Sequence, residues 1–87
     1  EAEIDSLQFI NKPIDKSSVI QAKPRYRDNS KTITYTPKPN ATAHIHFQEP
    51  QRALDEGQIL ALYQSNRLLG GGLYSKIIPS IPSNIHD

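Results

Sequence analysis

The 87 residues leave room for one domain, and a domain of that size buries only roughly 60–65% of its unfolded surface, so the core must be thin. Ten Lys and Arg against nine Asp and Glu give a formal net charge of +1, so global charge does not announce a polyanionic partner. The absence of cysteine excludes disulfides, thiolate metal sites and a cysteine nucleophile.

A small secreted domain would normally need covalent staples, so the composition points to a cytoplasmic protein, with an organelle interior as the other reading. No apolar run approaches the ~20 residues of a membrane span and no signal peptide is visible, so no membrane partner is expected. The chain opens at Glu1 and contains no methionine, which reads as a domain cut from a longer protein or as a processed chain. Asn40-Ala41-Thr42 matches the glycosylation sequon, a match without meaning inside a cell.

Strand signals dominate in chain order. Leu7-Gln8-Phe9-Ile10 is a short apolar piece closed by Asn11-Lys12-Pro13. Ser18 to Lys23 reads as a strand, and Pro24, which cannot donate to a ladder, marks an edge, a bulge or a strand end. After the turn cluster Asp28-Asn29-Ser30, Lys31 to Thr36 alternates and is β-branched, and Pro37 to Asn40 reads as the next turn. Ala41 to Phe47 has the clearest period of two, with Ala43, Ile45 and Phe47 on one side and Thr42, His44 and His46 on the other. Residues 51–58 read as a short strand or turn feeding Gly57. Gln58 to Tyr63 is a nearly continuous apolar strand, Gln64-Ser65-Asn66 turns the chain, and Arg67 opens a last strand reaching Ile78. Residues 79–87 read as a flexible C-terminal tail. Five or six short strands with turns every eight to twelve residues predict an all-β domain, and at this size a barrel best removes exposed edges.

Few side chains offer chemistry. His44 and His46 share the polar face of their strand and could both ligate a metal, with His86 or Glu49 as a third ligand, but no zinc spacing accompanies them and the commoner reading is two exposed strand histidines. No metal site is therefore expected. Gly70-Gly71-Gly72 lacks the Lys-Ser/Thr of a phosphate loop and precedes a strand, which favours a bend at a barrel corner. Asp55 and Glu56 are adjacent carboxylates on a turn, without a facing partner across a cleft. Nothing here forms a catalytic set. Lys23, Arg25, Arg27 and Lys31, with Lys38 close behind, make one local basic cluster; such clusters are more often only solvated. Within it, Arg25-Tyr26-Arg27 has two readings. Arginine forks suit phosphate and a tyrosine ring suits a base or ribose, or else this is a basic strand end with Tyr26 filling the core.

Four blocks carry a resemblance. Ala22-Lys23-Pro24-Arg25-Tyr26-Arg27 is similar to the K-x-R-Y-R segment in the C-terminal domain of tRNA-specific 2-thiouridylases. Phe47-Gln48-Glu49-Pro50-Gln51-Arg52-Ala53-Leu54 resembles that domain's F-x-x-P-Q-R-A-V, Gly57 to Tyr63 its G-Q-x-x-x-x-Y, and Leu69-Gly70-Gly71-Gly72 its L-G-G-G. The blocks stand in the family's order from about Ser18 to Ile78; residues 1–17 are compatible and the tail falls outside. Pro24, Gln48 and Glu56 depart from the family's usual residues, and Pro24 bears on where Arg25 is placed.

The resemblance implies a six-stranded antiparallel β-barrel of the elongation-factor type over residues 1–78. It implies a parent enzyme, a tRNA-uridine 2-sulfurtransferase, that adenylates the wobble uridine with ATP and Mg and installs sulfur from a persulfide donor. The implied partners are tRNA, the catalytic and middle domains of the same chain, and a sulfur-relay protein or cysteine desulfurase. The implied tRNA-binding residues are Arg25 and Tyr26, with Arg27 and Lys23 as weaker members. The family's ATP loop and catalytic cysteines have no counterpart here, so the 87 residues are expected to bind no cofactor and to catalyse nothing alone. A barrel that only packs on the catalytic domain and shapes the tRNA groove is the alternative.

Overall fold

Alternation of apolar and polar residues carries the chain through six strands: β1 (Ala2–Phe9), β2 (Ser18–Lys23), β3 (Lys31–Lys38), β4 (Thr42–Phe47), β5 (Ile59–Gln64) and β6 (Arg67–Ile77). The computed structural model describes residues 1–24, 29–49, 51 and 54–78. Every pairing is antiparallel, and the order β1-β4-β3-β2-β5-β6 closes on itself because β6 also pairs with β1. Closure gives every strand two neighbours over part of its length, which removes the long open edges of a flat sheet. No helix among the described residues is long and apolar enough to cross a membrane.

The inward positions fill the barrel with Ala2, Ile4, Ile20, Ala22, Ile33, Tyr35, Ala43, Ile45, Phe47, Leu60, Leu62 and Tyr74. No polar or charged side chain is buried among the described residues. Phe9 meets the Tyr35 ring edge-on at 6.5 Å, closing one end.

β1 begins five residues before the expected apolar piece, and Ile10 lies beyond it. Glu3 and Asp5 obscure the alternation of Ala2 and Ile4, and a bulge then inverts it. Ser6 adopts a φ of 52°, the register with β6 shifts between Asp5 and Gln8, and the core-facing set moves from Ala2 and Ile4 to Leu7 and Phe9. Pro37 lies inside β3 rather than in a turn, opposite Ala43 of β4. The β2 ladder has already ended at Tyr35, so at Pro37 the strand has a neighbour on one side only. The β3–β4 turn is instead made by Asn40 and Ala41, and the β5–β6 turn by Ser65 and Asn66, all four at positive φ. Residues 55–58 resolve to a turn: Gln58 N–H donates to the Asp55 carbonyl at 3.2 Å, with Gly57 at φ 88°.

The glycine run makes closure possible. A Cβ on Gly70 would stand 2.2 Å from the Gln8 carbonyl oxygen, and one on Gly71 2.6 Å from that of Leu60. One on Gly72 would stand 2.8 Å from the Asp5 carbonyl oxygen, with the Leu7 and Ile4 side chains just beyond. The expected corner is therefore real, and it is where β6 crosses closely between β5 and β1. Tyr74 of β6 belongs to the interior. It is 2% exposed in the core, and Ile77 packs partly against the same cluster. The exposed apolar side chains are Ile10, Val19, Ile59, Leu68 and Leu73.

Replacing Gly70 by Ala should cost about 3 kcal/mol, because backbone rather than a mobile side chain blocks the new methyl. Gly57→Ala has open space and meets only the positive φ, so it should cost about 1–2 kcal/mol. Urea unfolding of both variants measures the order; equal losses would contradict the closure argument.

Candidate nucleic-acid interface

β2 turns Ile20 and Ala22 inward and Val19, Gln21 and Lys23 outward. Pro24 keeps the inward phase and is fully buried, and its carbonyl accepts a hydrogen bond from the Tyr74 hydroxyl at 3.2 Å. Of the three readings open for Pro24, strand end is the one observed. The chain thus leaves the barrel wall at a position fixed from β6, immediately before Arg25. Arg25, Tyr26 and Arg27 lie outside the described residues, as do Pro50, Arg52, Ala53 and His86.

Lys23 projects from the outer wall beside β5, opposite Ala61, and its Nζ stands 5.2 Å from the centre of the Tyr63 ring. Such a cation–π contact contributes about 0.5–1 kcal/mol at an exposed site. Lys31 opens β3 directly opposite Ala22, so Lys23 and Lys31 stand at the base of the connection that contains residues 25–28. Beside them Ser30, Lys31, Thr32, Gln48 and Glu49 line a polar hollow of about 220 Å³. Lys38 does not join the group. It ends the eight-residue β3, about 23 Å along the strand from Lys31.

The outer wall therefore combines Lys23 with an outward tyrosine, and Lys31, in the inward phase of Ala22 and Ile33, stands at the start of β3 beside them. Tyr63 was not among the residues singled out for contact. Its signal was the alternation of Ile59, Ala61 and Tyr63 against inward Leu60 and Leu62, masked because all five are apolar or aromatic.

His44 and His46 sit on the outer face of β4, but they are not bare. The His44 ring nitrogens lie 2.9 Å from Glu3 Oε2 (Nδ1) and 3.0 Å from Glu1 Oε1 (Nε2). His46 Nδ1 lies 3.0 Å from Glu1 Oε2. Carboxylates only accept, so both His44 contacts are hydrogen bonds together only when the imidazole is doubly protonated. No group of three or more His, Asp or Glu among the described residues is arranged to hold a metal ion. The hydrogen bond from His46, then the nearby imidazole charges, hold the Glu1 carboxyl below its usual range. Asp55 and Glu56 are exposed on their turn.

Gly70, Gly71 and Gly72 are paired on β5 and β1 and pack against main-chain carbonyls, so they offer no phosphate cradle.

Because the folded-state value of Glu1 is depressed, its contribution to stability is complete above the ordinary glutamate range and is lost as pH falls through the lowered value. A carbon-detected titration should place the Glu1 carboxyl midpoint below that of a glutamate in an unstructured peptide, and His46→Ala should return it toward that value. An unchanged midpoint in the variant would remove His46 as the cause.

The aminomethyltransferase β-barrel domain family matches residues 1–74. The tRNA-specific 2-thiouridylase MnmA of Shouchella clausii is 44% identical over 57 residues, which are 66% of this chain and 16% of that protein. The protein of the same name from Chlorobaculum tepidum is 34% identical over 68 residues, 78% of this chain and 19% of its own length. That of Legionella pneumophila is 37% identical over 57 residues, 66% of this chain and 16% of its own. The chain thus spans less than a fifth of the length of these relatives.

Proposed function

We propose a tRNA-contacting role for this chain, which belongs to the aminomethyltransferase β-barrel family as the C-terminal domain of tRNA-specific 2-thiouridylases. The enzyme it serves places sulfur on the wobble uridine of tRNA, using ATP for activation and a persulfide donor. The 87 residues contain no cysteine to carry that sulfur, so the chemistry belongs to the rest of the enzyme. The barrel's part is to hold RNA.

One observation supports this reading above the others. The Arg25-Tyr26-Arg27 segment starts where Tyr74 holds the Pro24 carbonyl, with Lys23 and Lys31 at its base on neighbouring strands. Lys23 and Lys31, with Arg25 and Arg27 between them in the sequence, supply charge-assisted contacts to phosphate, and Tyr26 and Tyr63 supply aromatic rings for base or ribose. Phosphate contacts of this kind fix position without reading sequence, which suits a domain that orients a substrate. The outward apolar pair Ile59 and Leu73 favours a second role beside the first, packing on the catalytic portion.

Anisotropy of a labelled wobble-uridine tRNA tests the role. Wild-type chain should bind with a marked salt dependence. The Arg25→Ala/Tyr26→Ala variant should bind at least tenfold more weakly. Lys23→Ala should flatten the slope of log K against log salt by about 0.7–0.9 per lost phosphate contact. Unchanged affinity in the double variant would remove this segment as the contact, and no binding by folded wild type at low salt would leave the packing role alone.

A further inference from the structure

On the wall opposite β3, the outer surface of β5, β6 and β1 is unlike the rest of the barrel. Ile59 and Leu73 are direct cross-strand partners and both point outward, 66% and 36% exposed. Next along the ladder, Ala61 faces Gly71, and Gly71 in turn faces Gln8 of β1. Gly71 contributes no side chain, so the wall drops to bare backbone between Leu73 and the Phe9–Ile10 end of β1. The result is a shallow hollow of about 500 Å³, bounded by Ile10, Ile59 and Leu73, with Ser6 and Gln8 as its polar lining side chains. Among the described residues, no ionisable side chain lines it. The charge across the strand from Leu73 is Asp5.

The charge pattern decides what fits. RNA binding depends on cations that displace counterions from phosphate. The hollow has none, and Asp5 would repel a phosphate. The cations at the base of the 25–28 connection belong to β2 and β3, and the Glu1, Glu3, His44 and His46 cluster belongs to β1 and β4. A hollow with protruding aliphatics and a glycine floor, and a carboxylate only at its edge, suits the apolar centre of a protein interface with a polar rim. The relatives supply the occupant, since more than four-fifths of their length lies outside the part this chain matches.

We propose that the Ile59–Gly71–Leu73 face is the docking surface for the catalytic portion of a 2-thiouridylase polypeptide. This rests on the family membership and on the enzyme-level reading above, and it adds a place for the contact. RNA and catalytic portion then engage different walls of one barrel, so the closed sheet transmits the position of one to the other. Leu73 and Ile59 enter a partner's apolar surface, and Gly71 admits a side chain from it.

The natural absence of cysteine gives a direct test. Ile59→Cys, Leu73→Cys and Val19→Cys are made singly. Val19 is 62% exposed and lies on β2 opposite Thr34, on another wall. Each is labelled with a maleimide in the isolated chain and in a chimaera whose Shouchella clausii 2-thiouridylase has this chain in place of its matched segment, with peptide-level mass spectrometry as readout. The labelling rate at positions 59 and 73 should fall at least tenfold in the chimaera while that at position 19 stays unchanged. Equal rates in both contexts, equal slowing at position 19, protection that appears only on adding tRNA, or concentration-dependent protection in the isolated chain would each overturn the proposal, the last two in favour of RNA or a second copy. Measuring tRNA affinity of the chimaera with and without Arg25→Ala/Tyr26→Ala separates the two ideas: loss of affinity with positions 59 and 73 unprotected sinks the docking face and leaves the RNA role standing.

Discussion

Closure of β6 against β1 is the constraint on which the remaining structure depends. With fewer than ninety residues and no cysteine, the chain cannot rely on a deep core or a covalent staple. It forms a ring instead, and the ring closes because Gly70 and Gly71 let main chain approach main chain at Gln8 and Leu60. Three register shifts, two at the β1–β6 pairing (between Glu3 and Ile4 and between Asp5 and Gln8) and one at the β5–β6 pairing near Leu62, provide the bends. Once closed, every strand has two neighbours over part of its length, and six strands share one small apolar interior.

Closure also sorts the outer surface. Alternation sends every second residue outward, so each wall takes its chemistry from the polar phase of two or three adjacent strands. The β1–β4 wall holds the Glu1, Glu3, His44 and His46 cluster; the β2–β5 wall holds Lys23 and Tyr63; the β5–β6–β1 wall holds the aliphatic hollow, with Asp5 across from Leu73 at its edge. Tyr74 links these arrangements, since its ring fills the core while its hydroxyl holds the Pro24 carbonyl from which the arginine segment departs. Core packing and site placement therefore share a side chain.

Much of this was legible in the sequence, and the failures have particular causes. Strands with plain alternation, such as Ser18 to Lys23 and Ala41 to Phe47, fall where expected to within a residue. The beginning of β1 was missed because Ser6 inserts an extra residue and reverses the phase halfway, so no single period fits the strand. Pro37 argued for a turn, but a proline costs a strand little where one neighbour is already absent. Of the contact residues, Lys23 is placed at the base of the expected segment, and Tyr63 became visible only when the register of β2 on β5 put it beneath the lysine. The histidine pair was read as two exposed side chains because its carboxylate partners come from a strand end not recognised as such.

The most direct measurement is the map of amide shifts in the ¹⁵N-labelled chain on addition of a wobble-uridine tRNA. The account predicts that the largest changes fall on residues 23–31 and on Tyr63, with the β5–β6–β1 wall around Gly71 and Leu73 unmoved. Changes centred on Gly71 and Leu73, with residues 23–31 silent, would contradict it, because RNA would then occupy the wall assigned to protein and the basic end of the barrel would have no part in binding.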